Sequence, residues 1–111
     1  MWWNEGFGVV LGVALATAAL TALPSPAAAQ GSERGGRAIA ARWCVECHLI
    51  GPDGPGSAIG RPFTTIANDT GLTDDRLRGW LAEPHPPMPN LDLTRQEIEN
   101  VIAYLESLKA R

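Results

Sequence analysis

The chain has 111 residues, which is room for a single domain. Nine Lys and Arg against twelve Asp and Glu give a formal net charge of −3. This charge is weak and its signs are mixed, which argues against binding to nucleic acid, because nucleic-acid binding requires a concentrated basic face.

The N-terminal segment has the pattern of an export signal. Residues 7–23 form an uncharged apolar run, and Ala27-Ala28-Ala29 is a small-residue cleavage motif. We therefore predict a signal peptide over 1–29 and an exported, periplasmic domain over 30–111. The residues before the run contain no Lys or Arg, so a retained membrane anchor is the alternative. Contact with a membrane is expected only in that second case.

The first helix is predicted directly after the signal. Residues 30–32 look like a loose lead, and Ser32 can cap a helix from Glu33 to about Glu46. At helical spacing its inward face carries Gly36, Ile39 or Ala40, Trp43 and Cys47.

The middle of the chain alternates loops with short helices. Residues 49–62 are rich in Gly and Pro and predict an irregular loop, followed by a short helix from Phe63 to about Asn68. Thr73 begins another helix that ends near Ala82, and Asp74 and Asp75 are well placed in its first turn. That position explains the acidic pair.

The C-terminal part of the chain carries the clearest signals of secondary structure. Four prolines within residues 83–89 predict a stiff, extended segment. Thr94 and Glu97 then form a capping box. An apolar face follows at helical spacing: Ile98, Val101, Ile102, Leu105 and Leu108. No segment has the alternation of a strand, so the fold class is predicted to be all-α.

The two cysteines are Cys44 and Cys47, and His48 follows them. A disulfide at this spacing would close a very small loop and stabilise little. A thioredoxin-like pair needs a βαβ setting, and a zinc site needs four ligands, whereas His85 lies far along the sequence. The remaining interpretation uses all three residues, because C-x-x-C-H is the attachment motif of haem c.

The chemistry of haem attachment explains the spacing. Thiols one helical turn apart can form thioethers with the two vinyl groups on one edge of the porphyrin. The next residue, His48, then lies beneath the iron and can ligate it. We therefore predict one haem c, bound through Cys44 and Cys47.

The sixth iron ligand has one main candidate. Met88 is the only methionine after the signal and lies in the proline-rich segment between two predicted helices. A lone methionine is usually core filler, but a rigid loop and a haem that needs a partner favour ligation. His85 is the alternative and would give a bis-His haem of lower potential. A five-coordinate iron is the third option.

The order of these features resembles the class I cytochrome c family over residues 32–109. The resemblance is carried by CVECH at 44–48, MP at 88–89 and AYLESL at 103–108. It implies about four helices around one covalent haem, with Met88 as the axial methionine. It also implies that the small residue Gly36 lets the last helix cross closely, against Tyr104.

The resemblance further implies several residues around the haem. A backbone carbonyl after the CxxCH motif accepts the Nδ1–H of the axial histidine in this family, which here points to Arg61 or Pro62. Arg61 interrupts the family's Gly-Pro pair, so the choice stays open. Arg61 could also pair with a haem propionate, or it could be a solvated side chain at the surface. Trp43 and Trp80 are expected to pack against the macrocycle, and the Trp80 indole could donate to a propionate.

These features predict an electron carrier rather than an enzyme. A haem ligated on both faces by His48 and Met88 has no open position for a substrate, which suits one-electron exchange. Redox partner proteins are expected to bind through a small, transient interface, and the chain is expected to be a monomer. The alternative is a haem with an open or displaceable sixth site that binds a gas or reduces peroxide.

Overall fold

A computed structural model describes residue 8 and residues 30–111 of the chain. The predicted signal peptide at 1–29 therefore lies outside the described residues, apart from Gly8. Within the described part there is no strand, and no helix there is both long and apolar enough to cross a bilayer. The all-α prediction is confirmed for these residues.

Four α-helices follow one another along the domain. They are α1 (Glu33–Ile39), α2 (Phe63–Ala67), α3 (Asp74–Ala82) and α4 (Arg95–Ser107). A five-residue π-helical turn, Ala40–Cys44, continues α1 into the CxxCH motif. The predicted loops at 49–62 and 83–89 contain no regular element.

Three of the four helices, α1, α3 and α4, begin where their caps were predicted. The Ser32 side chain accepts from Gly35 N–H, and the Thr73 side chain accepts from Arg76 N–H. At α4, Thr94 and Glu97 form the complete capping box, with each side chain bonded to the other residue's backbone N–H.

The core forms where α1 and α4 pack together, with α2 and α3 covering further parts of α4. Val101 is 1% exposed and lies at its centre. The other buried apolar residues are Ala40, Cys44, Ile50, Phe63, Ala67, Leu77, Ile98, Ile102, Tyr104 and Leu105. The predicted apolar face of α4 is therefore confirmed, since Leu108 also packs against this core.

The buried face of the first helix differs from the prediction at Trp43 and at the cysteines, since Cys47 was placed on that face and is half-buried, whereas Cys44 is buried. Gly36, Ala40 and Cys44 are buried, whereas Trp43 is 51% exposed and lies beside the Arg42 guanidinium. The wider π-helical turn adds a residue to the turn, so residues four apart stay close to one face. Spacing counted for a regular α-helix had placed Trp43 inward.

The lead at residues 30–32 is not loose, contrary to the prediction. Ser32 N–H donates to Asn100 Oδ1 over 2.8 Å, and Gln96 Nε2 donates to the Gln30 carbonyl over 3.4 Å. Gly31 lies so close to α4 that a Cβ there would overlap the Glu99 carbonyl. The start of the domain is therefore attached to its last helix.

Arg78 on α3 binds Glu99 on α4 through two hydrogen bonds, of 2.6 and 3.1 Å. This guanidinium holds the pKa of the Glu99 carboxyl below its ordinary value of 4.5. A carboxyl with a lowered pKa in the folded state stabilises the fold above its unfolded pKa, and the effect is lost as the pH falls through the folded value. The pair therefore stabilises the fold at neutral pH.

We expect Glu99→Gln to lower the Tm at neutral pH by roughly 2–5 °C, since a partly exposed pair contributes modestly. Well below pH 4.5 the wild type also loses this charge, so the two proteins should then have equal Tm values. Thermal unfolding of both haem-loaded proteins across this pH range measures the difference. A gap in Tm that did not close in acid would contradict the assignment.

Candidate functional site

The CxxCH motif forms a tight turn at the end of the π-helical segment. The Cys44 carbonyl accepts from Cys47 N–H over 3.2 Å and from His48 N–H over 2.9 Å. Both thiols are free, with Cys44 buried and Cys47 half-buried. Burial raises the pKa of the Cys44 thiol to about 11, with a smaller contribution from Cys47. The turn therefore presents two unpaired thiols next to one imidazole.

The His48 ring is oriented by the loop that follows the motif. Its Nδ1 lies 2.6 Å from the Arg61 carbonyl oxygen. Since a carbonyl only accepts, this contact requires the proton on Nδ1, and in the neutral ring the Nε2 lone pair is then available. Of the two carbonyls that the sequence left open, the one within hydrogen-bond distance belongs to Arg61 and not to Pro62.

Gly60 allows the loop to approach this ring. Its N–H donates to the Cys47 carbonyl over 2.5 Å. A Cβ at Gly60 would lie 2.6 Å from His48 Cε1 and 2.7 Å from Nδ1. A side chain at this position would therefore displace either the ring or the loop.

Aromatic contacts support the same loop from the core. The Phe63 ring lies 5.4 Å from the His48 ring and 6.3 Å from the Tyr104 ring, centroid to centroid. The Phe63 N–H donates to the Leu49 carbonyl over 2.9 Å. The buried Tyr104 hydroxyl donates to the Ile50 carbonyl over 2.6 Å. Helix α4 thus fixes the backbone directly after His48.

A second group of contacts lies in and around the proline-rich segment at 83–89, which contains Met88. Met88 is half-buried, and its N–H donates to the His85 carbonyl over 2.9 Å, across a cis Pro86–Pro87 bond. His85 is exposed, and its ring meets the Trp80 ring edge-on at 5.2 Å. Trp80 itself is 45% exposed. The sequence-predicted residues therefore fall into two groups, one around His48 and one around Met88.

The Arg61 side chain has a partner within the protein. Its guanidinium donates to Asp69 Oδ2 over 3.0 Å. The partner expected for this side chain was a haem propionate or solvent, and the contact with Asp69 was not predicted. No role was predicted for Gly60 or for the Phe63 ring. For Gly60 a signal was present, because a glycine directly before the candidate carbonyl often marks a close approach of the backbone.

The residues around the motif fit a covalent haem. Thioether formation needs two thiols without another partner, and axial ligation needs a neutral imidazole with one nitrogen free. Cys44, Cys47 and His48 meet these conditions. Among the described residues, no cluster of three or more His, Cys, Asp or Glu side chains could hold a metal ion.

Comparisons with known proteins agree with this chemistry. A family model described as cytochrome c matches residues 32–109. Cytochrome c-552 of Bradyrhizobium diazoefficiens is 30% identical over 103 residues, covering 92% of this chain and 93% of that protein. Cytochrome c oxidase subunit 2 of Alkalihalophilus pseudofirmus is 34% identical over 80 residues, or 60% of this chain and 22% of that longer protein. No solved structure gives a significant match.

Proposed function

The chain belongs to the cytochrome c family and is an electron carrier with covalently bound haem c, and we propose that it works in the periplasm with His48 and Met88 as axial ligands. The observation that carries the proposal is the 2.6 Å contact between His48 Nδ1 and the Arg61 carbonyl. This contact fixes the tautomer in which Nε2 can ligate iron. Haem c, when bound, exchanges one electron between its ferrous and ferric forms.

The protein's own residues would hold His48 in one position while the electron is exchanged. Cys44 and Cys47 attach the cofactor, and the short turn between them and His48 ties the ligand to the attachment site. The backbone around His48 is held by Gly60, Phe63 and Tyr104 through contacts that do not involve the cofactor. A site supported in this way changes little when the charge on the iron changes, which favours rapid electron transfer.

The position of Met88 supports the proposal that it, and not His85, is the sixth iron ligand. It is half-buried, whereas His85 is exposed and packs on the edge of Trp80. Methionine ligation raises the reduction potential relative to bis-His ligation, which suits a carrier. Trp43 and Trp80 are both about half exposed and remain our candidates for packing against the macrocycle.

The electron partners are proposed from the same comparisons. The Alkalihalophilus relative is named as a subunit of cytochrome c oxidase, so we propose a cytochrome c oxidase as one class of acceptor. The partners of a carrier must separate after each transfer, so a small interface is expected, and we propose that the chain is a monomer.

The first test is the visible spectrum of the protein after expression with a haem-attachment system. A sharp low-spin spectrum on reduction, and the weak far-red band of methionine ligation on oxidation, are expected. A low-spin spectrum without that band would favour His85. A high-spin spectrum that changes with carbon monoxide would favour a protein that binds a gas or reduces peroxide, and absence of haem would overturn the proposal.

A further inference from the structure

We propose that Asp69 is a positioning residue for His48 and acts through Arg61, an inference that rests on the proposed function, in which His48 is an iron ligand. Arg61 is in contact with both residues. Its carbonyl oxygen lies 2.6 Å from His48 Nδ1, and its guanidinium lies 3.0 Å from Asp69 Oδ2. One residue therefore links the imidazole to a carboxylate eight positions further along the chain.

The Asp69 carboxylate is itself held in place. Its Oδ1 accepts from Gly71 N–H over 2.9 Å, which leaves Oδ2 for Arg61. The backbone of Asp69 is fixed on both sides. Its N–H donates to the Ile66 carbonyl over 3.2 Å, and its own carbonyl accepts from Leu72 N–H over 3.0 Å. The turn after α2 thus provides a fixed anchor for the guanidinium.

Hydrogen bonds of Gly60 N–H and Phe63 N–H hold the loop on either side of Arg61. The Asp69 contact adds a restraint on Arg61 itself, whose own φ and ψ angles are only partly restricted. A proline at this position would have a fixed φ, whereas an arginine does not. The following Pro62 disfavours the helical region for Arg61 but leaves a broad extended range. The direction of the Arg61 carbonyl depends on these angles. Asp69 holds the far end of the Arg61 side chain. This narrows the range of backbone angles open to Arg61 and keeps its carbonyl directed at His48.

The charges agree with this arrangement. The Arg61 guanidinium is the main cause that holds the pKa of Asp69 below its ordinary value, and the Gly71 amide adds to it. The carboxylate is thus ionised at neutral pH. Both side chains are partly exposed, at 48% and 33% of their surface. An exposed pair contributes little to overall stability, so we expect the effect at His48 and not in the unfolding of the domain.

The test uses the reduced, haem-loaded protein and follows exchange of the His48 Nδ1 proton with solvent by NMR. Asp69→Asn keeps an oxygen for Gly71 and removes the charge that holds Arg61. We expect exchange to become roughly 1.5- to fivefold faster, the range for loss of a partly exposed pair. Asp69→Glu keeps the charge and should restore slow exchange. Asp53→Asn removes an exposed carboxylate five residues from His48 and should leave the rate unchanged.

Two results would overturn the inference. One is an unchanged exchange rate in Asp69→Asn. The other is an equal acceleration in Asp53→Asn, which would mean that any nearby negative charge has the same effect. Failure of the proposed function is recognised separately, since the wild-type spectrum shows whether the His48 ring protons carry the large shifts of an iron ligand.

Discussion

Replacing Met88 with leucine is expected to lower the reduction potential of the protein by on the order of 0.1–0.3 V, a substantial part of the ~0.8 V range that axial ligands produce. Leucine has nearly the volume of methionine but lacks the thioether, so packing should be retained while ligation is lost. The turn that presents residue 88 depends on its backbone N–H and the His85 carbonyl, which the substitution does not touch. Potentiometric titration followed by visible absorbance measures the change.

His85→Ala is the matched control. His85 lies in the same turn, but it is exposed and its ring contacts Trp80. We expect this variant to keep the wild-type potential and the far-red band, whereas Met88→Leu loses the band. The reverse pattern would assign His85 as the sixth ligand. Wild-type behaviour in both variants would mean that neither residue ligates the iron.

The sequence predicted the elements whose signals are local. The caps at Ser32, Thr73 and Thr94 depend on residues within one turn of one another, and all three form as expected. The apolar face of α4 repeats at a regular helical spacing, and it is buried as expected. Such features need no knowledge of the rest of the fold.

The predictions that the structure contradicts concern residues whose positions depend on distant parts of the chain or on irregular backbone. The π-helical turn has no sequence signal as strong as a cap, so regular spacing placed Trp43 on the face that packs in the protein core, whereas its side chain lies outside that core. Docking of the 30–32 segment depends on Asn100 and Gln96, which lie on the last helix. The first residues of the domain could not be positioned before that helix was placed.

The residues of the candidate site likewise divide into those with a local sequence signal and those whose contacts depend on distant parts of the chain. The attachment motif and His48 were identified from five consecutive residues. The choice between the Arg61 and Pro62 carbonyls required the path of the loop, which the sequence did not define. The contact between Arg61 and Asp69 spans a turn and a helix and follows no periodic pattern.

The packing of α1 against α4 allows a second large effect to be predicted. A Cβ at Gly36 would overlap the Asn100 carbonyl and approach Tyr104 Cβ to 2.7 Å. The close helix crossing implied by the family resemblance is therefore confirmed. Backbone atoms cannot move aside as a flexible side chain can, so one of the two helices would have to shift.

We expect Gly36→Ala to lower the free energy of unfolding by about 3 kcal/mol, at the upper end of the cost of overpacking. For a domain of this size the Tm should fall by roughly 10–20 °C. The measurement is thermal and urea unfolding of the haem-loaded protein. Helix propensity alone predicts the opposite result, a more stable variant, since alanine is favoured over glycine within a helix by about 1 kcal/mol.

Gly79→Ala provides the control, because Gly79 lies inside α3 and a Cβ there would meet nothing within 4 Å. Only propensity acts at this position, so the variant should be more stable than the wild type by up to about 1 kcal/mol. The same substitution is thus expected to have opposite signs in the two helices. If Gly36→Ala were also stabilising, α1 and α4 could not cross as closely as the structure describes, and the support that α4 gives to the backbone after His48 would have to come from elsewhere.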